Sequence, residues 1–88
     1  MKKPDYFERA IRDFVLREIP AANKLDQLGP TDSLFELGLI DSQALAETVV
    51  FCEETFGIEI ADEELIPENF DTIRSIARLV ARSKRASA

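Results

Sequence analysis

In the stretch ELGLIDSQAL, residues 36–45, a hydroxyl stands beside a carboxylate at the edge of an apolar-periodic segment. Gly38 permits a tight turn, Leu39 and Ile40 supply apolar anchors, and Asp41-Ser42 arrives where the next helix would present unpaired N–H groups and its positive dipole end. Two chemistries suit that pair. The plain one is capping, in which an Asp or Ser before an apolar helix accepts a hydrogen bond from a first-turn amide. The other is display: a serine outside the core is open to esterification, and a phosphodiester there would lie where helix N–H groups favour an anion. Taken alone, the residues leave both open.

The other reactive side chains narrow the field. The chain has no histidine and a single cysteine, Cys52, so Ser-His and Cys-His pairs, disulfides and the usual zinc ligand sets are excluded by counting. No Gly-rich phosphate loop is present, and so short a chain has little room for a cleft that would raise a carboxylate pKa. Cys52 has no cationic neighbour in sequence to favour its thiolate, and its spacing makes it a small core residue. Neither a catalytic residue nor a metal ligand is expected.

These residues need a scaffold, and the apolar periodicity supplies helices. A first helix is expected from about Asp5 to Ile19, with Pro4 near its start, Pro20 as its stop, and Phe7, Ile11, Phe14 and Ile19 on one face. Asp5 with Arg9, Glu8 with Arg12 and Asp13 with Arg17 are spaced as acid-before-base pairs. From Ala21 to Asp41 the periodicity fades into a loop of about 20 residues, a length that is often functional. Within it, Ser33 and Glu36 have capping-box spacing, which predicts a turn whose Leu34, Phe35 and Leu37 plug the core.

The second helix, about Ser42 to Phe56 and stopped by Gly57, sets Leu45, Val49, Cys52 and Phe56 in a buried stripe. A second row on it, Gln43, Glu47, Val50 and Glu54, must face elsewhere, as a solvated face or as a stripe for a partner. Ile58-Glu59-Ile60 reads as loop packed on the core, since nothing nearby pairs with it as a strand. Residues 62–70 suit one or two short helical turns. Asp71 is placed to cap a last helix, about Thr72 to Arg82, with Ile73, Ile76, Ala77 and Val80 inward. The expected class is all-α: a small four-helix bundle of three main helices and one short one, with a long loop between the first two. A single domain over residues 1–88 is expected, with an ordered core of about 4–82 and a flexible tail at 83–88.

The net charge of −6 is unevenly spread. Residues 31–73 hold twelve carboxylates and no Lys or Arg; the remainder holds five acids and eleven bases, with Arg82, Lys84 and Arg85 clustered near the C-terminus. Phosphates would be repelled by the central block, so the expected partner is a basic protein surface and not nucleic acid. An acidic face that only keeps a small protein in solution is the simpler alternative. The opening MKKPDYFERA turns charged after two lysines, and no apolar run is long enough to span a bilayer. An unexported, cytoplasmic monomer is expected.

From Ser33 to Val80 the chain resembles the acyl and peptidyl carrier proteins, through SLFELGLIDS, EETFGIEI, DEEL and DTIRSIARLV in that order and spacing. The resemblance implies a four-helix fold in which Ser42 carries 4′-phosphopantetheine, with Asp41 assisting the phosphopantetheinyl transferase and its metal. It also implies that Gln43, Glu47, Val50 and Glu54 form the row that meets basic patches on partner enzymes. The arm would end in a thiol holding an acyl or aminoacyl group as a thioester, and the protein itself would catalyse nothing.

Carriers of fatty acid synthesis commonly read G-x-D-S-L. Here GLIDS has one residue more, Gln43 stands where an apolar residue usually follows the serine, EELIPENFD makes a longer approach to the last helix, and a basic tail follows. The GLIDS form is more similar to stand-alone aminoacyl and D-alanyl carriers. The implied role is a discrete carrier loaded by an acyl- or aminoacyl-adenylate-forming ligase and unloaded by a downstream acyltransferase or synthase. An acyl carrier of fatty acid or polyketide synthesis is the second reading, and an unmodified acidic binding subunit the third.

Overall fold

Helix α1 spans Lys3–Glu18 and buries Phe7, Ile11, Phe14 and Val15, a stripe at the 3.6-residue period. The computed structural model describes residues 3–24 and 27–87, with side chains over 6–22 and 27–86. Pro20 ends α1, as its missing N–H and fixed φ dictate, and opens a 3-10 turn over Pro20–Lys24 inside the segment expected to be plain loop. The charge pairs expected within α1 give way to other partners. Glu8 pairs with Arg74 at 3.3 Å, the Arg12 side chain donates to the Leu28 carbonyl at 3.0 Å, and Arg17 pairs with its neighbour Glu18 at 3.0 Å. An exposed pair within a helix is worth only about 0.2–0.5 kcal/mol, so tertiary acceptors compete easily. The Asp5 side chain lies outside the described residues.

Helix α2 covers Ser42–Phe56, as its periodicity predicts. Its most buried face is Ala44, Thr48, Cys52 and Phe56, while Leu45 and Val49 are half-buried against the core, so the stripe is turned by one residue from the expected one. Thr48 can be buried because its hydroxyl donates to the Ala44 carbonyl at 2.8 Å, leaving no unpaired polar atom. At the C-terminus Gly57 takes φ 65°, and both its amide and that of Ile58 donate to the Glu53 carbonyl. Glu53 Oε2 also accepts from the Ile60 amide at 3.1 Å, which folds Ile58 and Ile60 inward without any strand.

A 3-10 turn at Asp62–Glu64 and the short α3, Pro67–Phe70, lead to α4, Ile73–Ser87. Thr72, not Asp71, caps α4: the Ser75 amide donates to Thr72 Oγ1 at 2.9 Å and the Thr72 amide to Ser75 Oγ at 3.1 Å. Asp71 is engaged elsewhere, accepting from Ser33 Oγ at 2.6 Å and from the Phe35 amide at 3.3 Å. The last helix runs past Arg82 through residues expected to be a flexible tail. Ser83 is buried, and Lys84 Nζ donates to the Phe56 carbonyl at 2.9 Å, which gives that turn a reason to stay helical.

The four helices form a small bundle, with no strand among the described residues. Its radius of gyration is 12.1 Å, matching about 12 Å for a compact chain of this length. Helix α1 lies mainly against α4, and an aromatic chain joins it to α2. Phe14 stacks on Phe51 with centroids 4.2 Å apart, and Phe7 meets Phe56 edge-on at 5.2 Å, so α1 and α2 run antiparallel.

Candidate functional site

Asp41 is extended, with φ −121° and ψ −171°, and its Oδ1 accepts from the Ala44 amide at 2.8 Å while its carbonyl accepts from Leu45 at 2.8 Å. That is the hydrogen bonding of an N-cap, so of the adjacent pair Asp41 is the cap. Ser42 therefore keeps its hydroxyl for other uses. It is the first residue of α2, it is exposed, and its side chain makes no hydrogen bond among the described residues. Leu39 and Ile40 are buried just before it, and Gly38 turns the chain at φ 74°. A serine displayed at a helix N-terminus and fixed by two anchored neighbours is open to a bulky phosphodiester, and the first-turn N–H groups favour the anion.

The loop leading to Ser42 is held from a distance. Besides its contact to Asp71, Ser33 Oγ accepts from the Glu36 amide at 3.2 Å, and the Leu34 amide donates to the Asp71 carbonyl at 2.6 Å. The capping-box spacing thus gives a real turn, but only Leu34 enters the core. Phe35 and Leu37 are 38% and 45% exposed, because a single turn buries only one of its faces.

Gln43, Glu47, Val50 and Glu54 are all exposed along one side of α2, with Val50 at 49%. Gln43 Nε2 donates to Glu47 Oε2 at 3.3 Å, ordering the first two turns of the row. Glu47, Val50 and Glu54 of the row line an open depression of about 560 Å³ along the seam with α1, together with Phe14 and Phe51. A second depression, of about 380 Å³, lies nearer Ser42, between the end of α1, Gly38-Leu39 and Gln43-Ala44. The α1 side of this seam, Phe14, Arg17 and Glu18, carries no local sequence signal, since only tertiary packing brings it to α2.

Cys52 sits on the opposite, fully buried face of α2, and burial, reinforced by neighbouring Glu53, pushes its thiol up to about 12. It stays protonated near neutral pH and is no nucleophile. Among the described residues no helix is long and apolar enough to cross a membrane, and no cluster of carboxylates and thiol is arranged to hold a metal ion.

Residues 9–80 match the family described as the phosphopantetheine attachment site, and the chain belongs to it. The class is therefore a carrier protein with 4′-phosphopantetheine as covalent cofactor, a role that is not catalytic in itself. Among curated proteins the chain is similar to the "Probable acyl carrier protein PigG" of Serratia sp. (strain ATCC 39006). The two are 37% identical over 59 residues, covering 67% of this chain and 68% of the relative.

Proposed function

We propose that this protein is a stand-alone, single-domain carrier whose 4′-phosphopantetheine is joined to Ser42, and that an adenylate-forming ligase loads its thiol with an acyl or aminoacyl group. The single observation that supports this most is the exposed Ser42 at the start of α2, uncapped because Asp41 does the capping, beside an uncovered acidic row. In this reading Asp41 has a second use in transferase recognition. Gln43, Glu47, Val50 and Glu54 meet a basic patch on the ligase and on the acyltransferase or synthase that takes the cargo. When bound, the prosthetic group supplies a flexible arm and a thiol for thioester chemistry; the chain's own residues position the arm and dock the partners. We assign it as a cytoplasmic monomer, a setting that a lone buried thiol suits.

The test is intact mass after incubation with coenzyme A and a broad-specificity phosphopantetheinyl transferase, beside Ser42→Ala. One phosphopantetheine on the native chain and none on the variant is the expected result. No addition to a folded native chain would return Ser42 to a plain helix position and favour an acidic binding subunit. The relative's description as an acyl carrier keeps a second reading, a carrier of fatty acid or polyketide synthesis. Loading that depends on ATP and an adenylating ligase, and not on transfer from an acyl-coenzyme A, separates the two.

A further inference from the structure

Helix α4 holds five bases and no acid, a composition that carrying an arm on Ser42 does not require. Arg74, Arg78, Arg82 and Arg85 follow one another at helical spacing, so they share one side of α4, roughly opposite the buried Ile73, Ile76 and Val80. Arg74 pairs with Glu8 at 3.3 Å and Arg82 with Glu64 at 3.1 Å, yet both arginines stay partly exposed. Arg78 and Arg85 are exposed and have no carboxylate within salt-bridge distance among the described residues. Arg9 and Arg12 extend the same charge onto α1, where they line a depression with Ile73 and the 27–30 loop. We propose that this arginine stripe is a second docking surface, that its occupant is an acidic segment of a partner protein, and that it holds the carrier on that partner while the α2 row meets other enzymes.

The chemistry and the size of the stripe fit such a segment. A guanidinium takes a carboxylate bidentately, which an ammonium cannot do, and all four bases of the stripe are arginine. From Arg74 to Arg85 the helix rises about 16 Å, three turns, and its bases match carboxylates repeated at the same helical spacing on a partner. A bilayer fits less well, although a basic amphipathic helix can lie on one. Ile73, Ile76, Leu79 and Val80 are all buried, so α4 has no apolar face left to insert. Glu8 and Glu64 also stand against the stripe, where a continuous anionic surface would meet them. A protein segment can set its carboxylates on Arg78 and Arg85 and pass those two glutamates by.

The two charged surfaces border different flanks of α1. Phe14, Arg17 and Glu18 adjoin the α2 row, whereas Glu8, Arg9 and Arg12 adjoin the start of α4. One partner can therefore cover α4 without touching Glu47, Val50 or Glu54. Opposite sign keeps the two sites distinct: a basic patch that fits the α2 row is repelled by the arginines, and an acidic segment that fits the arginines is repelled by the row.

The test titrates the isotope-labelled full chain at low salt with a poly-glutamate peptide long enough to span the stripe, and follows the amides by NMR. Expected are shifts over residues 74–85 and none along 43–54, with binding that weakens as salt rises. Arg78→Gln combined with Arg85→Gln, at exposed positions where Gln keeps good helix propensity, should weaken peptide binding about fivefold or more. That variant should melt like the native chain and accept phosphopantetheine on Ser42 equally well. Glu47→Lys combined with Glu54→Lys should lose none of the peptide binding. No shift on α4 at low salt, or an affinity unchanged by the two arginine substitutions, would overturn the surface. Phosphatidylserine vesicles or duplex DNA that bind α4 more tightly than the peptide would overturn the acidic protein segment as its occupant. Loading of Ser42 is read separately by intact mass, so the carrier assignment stands or falls apart from this surface.

Discussion

Replacing Asp71 should loosen the loop that delivers Ser42, and the size of the effect follows from two contacts. Asp71 Oδ1 accepts a short bond from Ser33 Oγ at 2.6 Å and a long one from the Phe35 amide at 3.3 Å. A hydrogen bond to a charged group contributes about 1.5–3 kcal/mol, and partial exposure puts the Ser33 bond at the low end of that range. The long amide contact adds about 0.5 kcal/mol. Asp71→Ala should therefore cost about 2 kcal/mol, a fall in Tm of about 10 °C for a chain of this size. The bundle survives, because the Leu34 amide still donates to the residue-71 carbonyl and the Arg74 amide to the Pro30 carbonyl. Ser33→Ala should cost a similar amount, since it removes the same bond and the exposed contact from the Glu36 amide. Urea melts of both single variants and the double variant, followed by helical circular dichroism, give the coupling energy, expected at about 1.5 kcal/mol. Single effects that simply add, to within about 0.3 kcal/mol, would refute the account of Asp71 as the residue that holds this loop.

Reversing Glu47 and Glu54 to Lys should leave the helix signal unchanged and weaken binding to a loading or acceptor enzyme at least tenfold at low salt, with the gap narrowing as salt rises; surface plasmon resonance over a salt series checks it. Cys52 should resist iodoacetamide at pH 8 until urea unfolds the chain, as measured by mass. The same thiol makes stability fall with alkali. Below 9.0 both states keep the proton; above it the unfolded chain ionises and the folded one does not until about 12, so stability declines through that window, and Cys52→Ala should lack that part of the slope in melts at graded pH. Gly57→Ala forces a side chain to φ 65° and should cost about 1 kcal/mol in a urea melt, whereas Gly29→Ala, at an ordinary φ and in ordinary contact with Asp32, should stay within about 0.5 kcal/mol.

Helices α1, α2 and α4 were readable because each carries an apolar stripe, and α1 and α2 also have clear stop signals: Pro20 after α1, and Asp41 and Gly57 around α2. The exposed row on α2 was readable for the same reason, as the complement of its buried stripe. What escaped depended on distance along the chain. Asp71 looks like a cap because Asp before a helix usually is one, and only its meeting with Ser33, 38 residues away in sequence, diverts it. Phe35 and Leu37 look like core by composition, but a single turn has too little surface to bury both. Residues 83–87 look like a tail because SKRASA has no long apolar run, yet the Phe56 carbonyl gives Lys84 something to hold. The seam opposite Gln43 and Glu47 was invisible for the same cause, since Phe14 and Glu18 reach it only once α1 is packed.

The two ends of α2 are fastened very differently. Its far end is tied by Gly57, Ile58, the Glu53 carboxylate, Lys84 and the rings around Phe56; its near end has one side-chain cap, from Asp41. Opening free energy should thus rise along the helix from Ser42 to Phe56, so that amides at 44–46 exchange with solvent before those at 52–56. On the proposed reading, a modifying enzyme that draws out the first turn gives up the two hydrogen bonds accepted by Asp41 and the Gln43–Glu47 contact, while the rest of the molecule stays folded.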